Sequence, residues 1–348
     1  MNKDDHRTRS RNDQWVYPVT FADGRRTFLF KTLVSNVCVN DCRYCPLRSD
    51  SDPERVSLEP EKLAHLFLEY RQKKIVNGIF LSSGVEGTPD SAMDKINTTA
   101  KLIRRYGFAG YMHLKILPGA SDGAVEEAVS LASAVSVNIE TAGEKHFKNL
   151  TDSKDYVNDI IRPIKLISSL TARGNRYSNV KQTTQFVVGA SNETDGEIIG
   201  YSWRLYKKLG LSRVYFSAYQ RGLGETDLPG EHSVHDNKDL LTREHRLYQA
   251  DWLMRKYNFN AGEIPLGPNG NLSLHVDPKE AWARVNPSFF PVNINRAQKF
   301  DLLRVPGFGH VTAGRILDLR KKGFIFRKPS DIRSKSRLIE KASAYITF

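Results

Sequence analysis

Cysteine is almost absent from this chain, with three among 348 residues. An odd, small number excludes a disulfide-stapled scaffold. Long apolar runs are missing too: none approaches the roughly eighteen residues a membrane-crossing helix needs. The first dozen residues, Met1 to Asn12, are charged and carry no apolar stretch of the kind a secretory leader has, so the expected location is the cytoplasm. Glycine (24) and proline (15) are neither abundant nor periodic, which excludes collagen-like and low-complexity chains. The remainder, 40% hydrophobic and 26% charged, fits a globular protein long enough for two domains.

Acidic residues are scarce in one place. The chain has 52 Lys and Arg against 39 Asp and Glu, a net charge of +13. Residues 291–348 alone hold 13 basic and 4 acidic residues and so carry most of that excess. Such a concentration points to a local polyanion site, with a solvated basic tail as the plainer reading of charge alone.

Apolar, β-branched runs alternate with helical periods. The strand candidates are 27–34, 78–81, 111–117, 134–139, 183–188 and 213–217. Between them lie amphipathic stretches such as Leu63, Leu66, Phe67 and Tyr70, and a run from Met93 to Tyr106 that stops at Gly107, a left-handed cap. Six strands alternating with helices predict βα units and a parallel sheet, either doubly wound or a partial barrel. Polar residues cluster just after the strands: Cys38; then Ser82, Ser83, Gly84 and Glu86; then Glu140 and Thr141. In both architectures ligands bind at that end, so these residues should share one mouth. Further on, a helix is expected over 242–257, and 262–291, with five of the prolines, reads as irregular connection.

The three cysteines form Cys38-Val39-Asn40-Asp41-Cys42-Arg43-Tyr44-Cys45. Three thiolates on one loop can ligate three irons of a cubic [4Fe–4S] cluster and leave the fourth open. A structural zinc site normally takes four protein ligands, for which His65 and His113 are candidates. The spacing C-x3-C-x-aromatic-C resembles the radical S-adenosylmethionine (radical SAM) superfamily. That resemblance implies an α/β fold, a partial (β/α)6 TIM-type barrel, with a [4Fe–4S] cluster on Cys38, Cys42 and Cys45. It also implies S-adenosylmethionine as cofactor, cleaved by one-electron reduction to a 5′-deoxyadenosyl radical that takes hydrogen from substrate, and an electron donor such as flavodoxin or ferredoxin. Cofactor-side residues carried over by position are Tyr44, Ser82, Ser83, Gly84, Glu86, Asn138, Glu140 and Gln185. The serines and the extra spacing to Glu86 depart from the superfamily's Gly-Gly-Glu pattern, and the alternative for Glu86 is that it simply opens the next helix. Lys115 requires a carboxylate or a ligand partner.

A second motif runs from Leu302 to Leu317, with Pro306-Gly307-Phe308-Gly309 at its turn. It resembles the helix-hairpin-helix motif, which grips nucleic-acid backbone through amides at the start of the second helix. Gly307, Gly309, His310, Thr312 and Arg315 are the candidate contacts, and a helical hairpin used only for packing is the alternative. Taken with Arg243 to Trp252 and Val276 to Trp282, the whole resembles the presumed DNA modification or repair radical SAM proteins, which are associated with a uracil-DNA-glycosylase-like partner. Arg243, His245, Tyr248 and Trp252 read as a packing face. The expected layout is an N-terminal extension (1–26), a radical SAM core (27–220), an extension and linker (221–290), and an all-α helix-hairpin-helix domain (291–348). The expected function is a radical SAM reaction on duplex DNA. The rivals are the same chemistry on structured RNA such as tRNA, and a non-radical DNA-binding protein with a structural metal centre. Iron–sulfur glycosylases of that second kind need four cysteines near the hairpin, whereas here three lie far upstream.

Overall fold

The computed structural model describes residues 15–20, 26–233, 236–332 and 335–348, so most of the expected N-terminal extension lies outside the described residues. The chain forms two compact units, 1–193 with 204–240 and 194–203 with 241–348. The first holds β1 (Val16–Thr20), β2 (Arg26–Leu33), β3 (Gly78–Ser82), β4 (Tyr111–Lys115), β5 (Ala134–Ser136), β6 (Lys181–Val188) and β7 (Arg213–Ala218) in one sheet. Strand order in the sheet is the order along the chain. β1 pairs antiparallel with β2, and every later pair is parallel. A doubly wound sheet reverses its order at one point; this one never does, so its twist curls it into a half-barrel.

Helices α1 (Pro60–Gln72), α2 (Pro89–Arg105), α3 (Asp122–Leu131), α4 (Glu144–Phe147) and α5 (Arg162–Leu170) fill the crossovers. α2 shows why they start and stop where they do. Thr88 and Ser91 form a reciprocal capping box, Pro89 supplies the fixed φ of the first turn, and Gly107 leaves the helix at φ +84°. The strand period of two sorts the two faces of the sheet. Phe30, Ile79, Leu81, Met112, Leu114, Val135 and Phe186 are fully buried, as are Leu63 and Phe67 of α1 to within a per cent. Alternating with them, Lys31, Phe80, His113, Lys115, Ser136 and Gln185 line a cavity on the other face.

The second unit takes the first part of α6 (Asp195–Leu209) and most of α7 (Asn237–Lys256). The buried Asp195 carboxylate accepts from Arg243 Nε at 2.7 Å and from the Leu272 amide at 2.8 Å, which ties α6 to α7 and to the segment around Leu272. Beyond it come α8 (Pro278–Val285), α9 (Lys299–Arg304), α10 (His310–Lys321) and α11 (Ser336–Ser343). β8 (Val292–Asn293) pairs in parallel with β9 (Ile346–Thr347), tying the start of this helical segment to its end. Three expectations need correction. β1 is an added strand at the sheet edge. β5 stops at Ser136, short of the expected 139. The supposedly irregular 262–291 contains α8, whose Asp277 side chain caps the Glu280 amide while Pro278 opens the first turn.

Candidate functional site

The cysteine loop begins where β2 ends. The Val34 amide donates to Ser82 O (2.7 Å), the Gly84 amide to Ser35 O (2.7 Å) and the Val39 amide to Val85 O (2.9 Å). The pairing of β2 with β3 therefore continues past both strand ends and carries Cys38 alongside the Ser82–Glu86 loop. A Cβ on Gly84 would lie 2.3 Å from Val37 O, so the close approach itself requires glycine. Amides of Val85 and Leu47 point at the sulfurs of Cys38 and Cys45, each at 3.4 Å.

Two residues that the sequence did not single out hold this loop. The Arg55 guanidinium donates to the carbonyls of Asn36 (2.8 Å), Leu47 (3.0 Å), Arg48 (2.8 Å) and Ser51 (2.8 Å). A fork of fixed donors is suited to gathering a coil in this way. Asp41, inside the motif, accepts from Ser153 Oγ (2.6 Å), the Asp152 amide (2.9 Å) and Thr151 Oγ. Burial pushes its carboxyl up, but these hydroxyls and amides outweigh it and bring it down to about 2. Asp41 thereby seats the 151–154 turn against the loop, and the ammonium of Lys154 comes to rest 2.8 Å from Cys42 Sγ. Burial raises the Cys42 thiol, Lys154 pulls the other way, and Glu140 and Cys38 add to the rise. Burial likewise takes the Cys45 thiol to about 11.

Tyr44 packs its ring on Leu150, Val187, Ala190, Tyr219 and Leu228, and its hydroxyl bonds the Glu140 carboxylate. Glu140 is 5% exposed, and its Oε2 has no hydrogen-bond partner. The residue stands at φ +62°, its amide bonded to Gln185 O (3.1 Å) and its carbonyl to the Val187 amide (2.7 Å). Strand alternation was expected to aim Asn138 and Glu140 together. The strand has ended before them, and Lys115 is what they share. Lys115 Nζ donates to Asn138 Oδ1. Burial drives Lys115 down, Glu140 raises it, Lys31 lowers it, and the balance is about 8.

Other expected residues are placed differently. Glu86 faces Lys95 (2.9 Å) and Ser57 Oγ (2.7 Å), which lower its carboxyl; Ser83 Oγ accepts from the Ser35 amide at 3.2 Å. His113 is hydrogen-bonded to Ser136 Oγ at 2.9 Å, and His65 stacks at an angle on Tyr106. Neither histidine is drawn to the cysteine loop. Among the described residues no three His, Cys, Asp or Glu side chains converge as a single metal ion needs. A cubic cluster asks for something else, since each thiolate takes its own iron and the sulfurs stand apart around it. Three thiols on a stitched loop, two of them met by amides, and a buried carboxylate with one unpaired oxygen beside them fit a cluster with a polar ligand at its open side.

In the second unit, Gly307 sits at φ +87° with its bare face on α11, where a Cβ would lie 2.4 Å from Leu338 O. Packing, as much as ligand access, requires this glycine. Gly309 N-caps α10; the His310 ring lies 5.0 Å from that of Tyr257, whose hydroxyl accepts the His310 amide. Thr312 is buried and Arg315 half-buried. Lys279, unremarked in the sequence, donates to Leu303 O (3.2 Å) and to Phe308 O, and so bridges α9 to the turn.

Residues 32–201 match the radical SAM superfamily, and residues 288–346 match the helix-hairpin-helix motif. No curated protein matches the chain. Similar solved structures include the FeFe-hydrogenase maturase HydG from Carboxydothermus hydrogenoformans (15% identity, 64% of this chain and 50% of that one, TM-score 0.48). Methylornithine synthase, PylB, is 11% identical over 63% of this chain and 61% of its own, with a TM-score of 0.48. A second HydG structure is 12% identical over 90% and 79%, with a TM-score of 0.49. The chain thus spans about half the length of the first of these proteins. Its residues 32–201 are thus similar to the radical SAM superfamily, whose members use a [4Fe–4S] cluster and S-adenosylmethionine, and a segment matching the helix-hairpin-helix motif follows.

Proposed function

We propose that this protein is a radical SAM enzyme acting on DNA, in a base or sugar modification or repair reaction. Cys38, Cys42 and Cys45 would hold the cluster, while Tyr44, the Ser82–Glu86 loop, Asn138, Glu140 and Gln185 would hold S-adenosylmethionine. When bound, that pair supplies reductive cleavage of the sulfonium and a radical able to abstract hydrogen. The protein's own part is positional. Glu140, fixed by Tyr44 and by β6, offers an unsatisfied oxygen to a cationic ligand group. Lys154 offsets negative charge at Cys42, and the apolar packing of Tyr44 fixes one wall of the loop.

The observation that carries the DNA part is the helix-hairpin-helix match within the most basic stretch of the chain. A hairpin of this kind grips backbone without reading sequence, and Lys and Arg around it release counterions. Residues 291–348 are then the DNA-binding domain, the cluster is reduced by a cytoplasmic electron donor such as flavodoxin or ferredoxin, and the protein works with a uracil-DNA-glycosylase-like partner. The test is anaerobic: reconstituted protein, dithionite and S-adenosylmethionine, assayed for 5′-deoxyadenosine with Cys42→Ala as control. Product that vanishes in the variant supports the chemistry. Duplex DNA and tRNA compared at one stated salt concentration test the substrate, and tighter tRNA binding would move the reaction to structured RNA.

A further inference from the structure

The concave face of the half-barrel encloses a cavity of about 430 Å³, in the range of a small-molecule site. Its lining has an unusual chemical make-up. The rings of Tyr17, Phe80 and Tyr215 supply flat apolar surface, and two ammonium groups, Lys31 and Lys115, reach it. Among the described residues, no carboxylate lines it. Lys31 Nζ stands 5.1 Å from the Phe80 ring centre and 5.3 Å from that of Tyr17, so positive charge and aromatic surface occupy the same corner. His113 contributes no charge: burial first, then Lys115 and Lys31, pull it down to about 3.

One lining group points to a missing ligand. Thr183 is 6% exposed, and its hydroxyl has no hydrogen-bond partner. Buried hydroxyls are nearly always satisfied, and leaving one unmade is costly. The Thr183 hydroxyl can both donate and accept. An occupant that suits this wall has a flat ring, an edge that both gives and takes hydrogen bonds, and negative charge for the lysines.

We infer that the cavity binds a single nucleotide, with its base among the rings, its edge at Thr183, and its phosphate toward Lys31 and Lys115. The nucleotide is either a free 5′-monophosphate or one turned out of a strand, as enzymes that modify bases require. The second source rests on the DNA reading above; the first does not.

The experiment uses the full chain with its cluster reconstituted. Titration calorimetry compares the four deoxynucleoside 5′-monophosphates with their nucleosides. At least one monophosphate should bind roughly tenfold or more tightly than its nucleoside, and Lys31→Met should abolish that preference. Thr183→Val should weaken binding several-fold with no loss of thermal stability, because it removes a hydroxyl that the fold leaves unpaired. In a second arm, duplex DNA carrying 2-aminopurine is added: a fluorescence rise on binding, reduced in Tyr215→Ala, assigns the nucleotide to the polymer. Equal binding of nucleosides and monophosphates, or displacement of the monophosphate by S-adenosylmethionine, would overturn the inference. Duplex binding with neither monophosphate affinity nor a fluorescence rise would overturn it too and leave the DNA reading standing. Tight monophosphate binding without duplex binding would do the reverse.

Discussion

The ammonium of Lys154 lies 2.8 Å from the sulfur of Cys42, across 112 residues of chain. Asp41 makes this possible by holding Thr151, Asp152 and Ser153 against the cysteine loop. A buried cation beside a cluster ligand favours the more negative, reduced state. Lys154→Met is therefore expected to make the midpoint potential of the reconstituted cluster more negative by about 50 mV, roughly 1 kcal/mol for one electron. Lys154→Arg should recover part of the shift. An EPR-monitored redox titration reads it, and an unchanged midpoint in the Met variant would refute the role.

Arg55 is the mechanical counterpart. Its guanidinium satisfies four carbonyls around the loop, and a lysine in its place keeps the charge without the fork. Arg55→Lys should lower unfolding stability by about 1–3 kcal/mol and reduce iron retained per chain after reconstitution. Urea melts and iron analysis measure the two effects separately.

His113 gives the first unit a pH dependence. Its folded-state value is about 3 against an ordinary 6.5, so the folded state refuses a proton that the unfolded chain accepts. The stabilisation is complete above pH 6.5 and is lost progressively as pH falls toward 3. The steepest slope is about 1.4 kcal/mol per pH unit for this one group. His113→Gln should flatten the curve over that window. Chemical unfolding at a series of pH values from 7 to 4 would show an unaltered slope if the assignment were wrong.

Two glycines in the hairpin should answer alanine in opposite ways. At Gly307 the added Cβ would strike Leu338 O and sit at φ +87°, so Gly307→Ala should cost about 2 kcal/mol or more and weaken DNA binding with it. At Gly314, within α10, a Cβ meets nothing within 4 Å, so Gly314→Ala should gain about 0.5–1 kcal/mol. Thermal melts of the two variants check the signs.

Six of the seven barrel strands were legible because strands of a covered parallel sheet are apolar, β-branched runs, and the helices between them because their apolar stripes recur every three or four residues. β1 escaped notice since Val16-Tyr17-Pro18-Val19-Thr20 is short and contains a proline, which an edge position tolerates. α8 was hidden among prolines, although Asp277-Pro278 is itself a helix-start signal. The cysteine loop and Gly84 stood out from composition and spacing. Arg55, Asp41 and Lys154 did not, because an arginine that binds carbonyls or a lysine that meets a distant thiol leaves no periodic trace.

From the amino acids alone came the βα alternation, the three-cysteine loop and the basic hairpin, all set by local spacing and by which side chains water excludes. Tertiary structure decided the rest: that the strand order never reverses, that Glu140 is buried with one oxygen unpaired, and that Thr183, Lys31 and Lys115 face one cavity. Those relations depend on residues far apart in the chain, and only the closure of the sheet brings them within reach of one another.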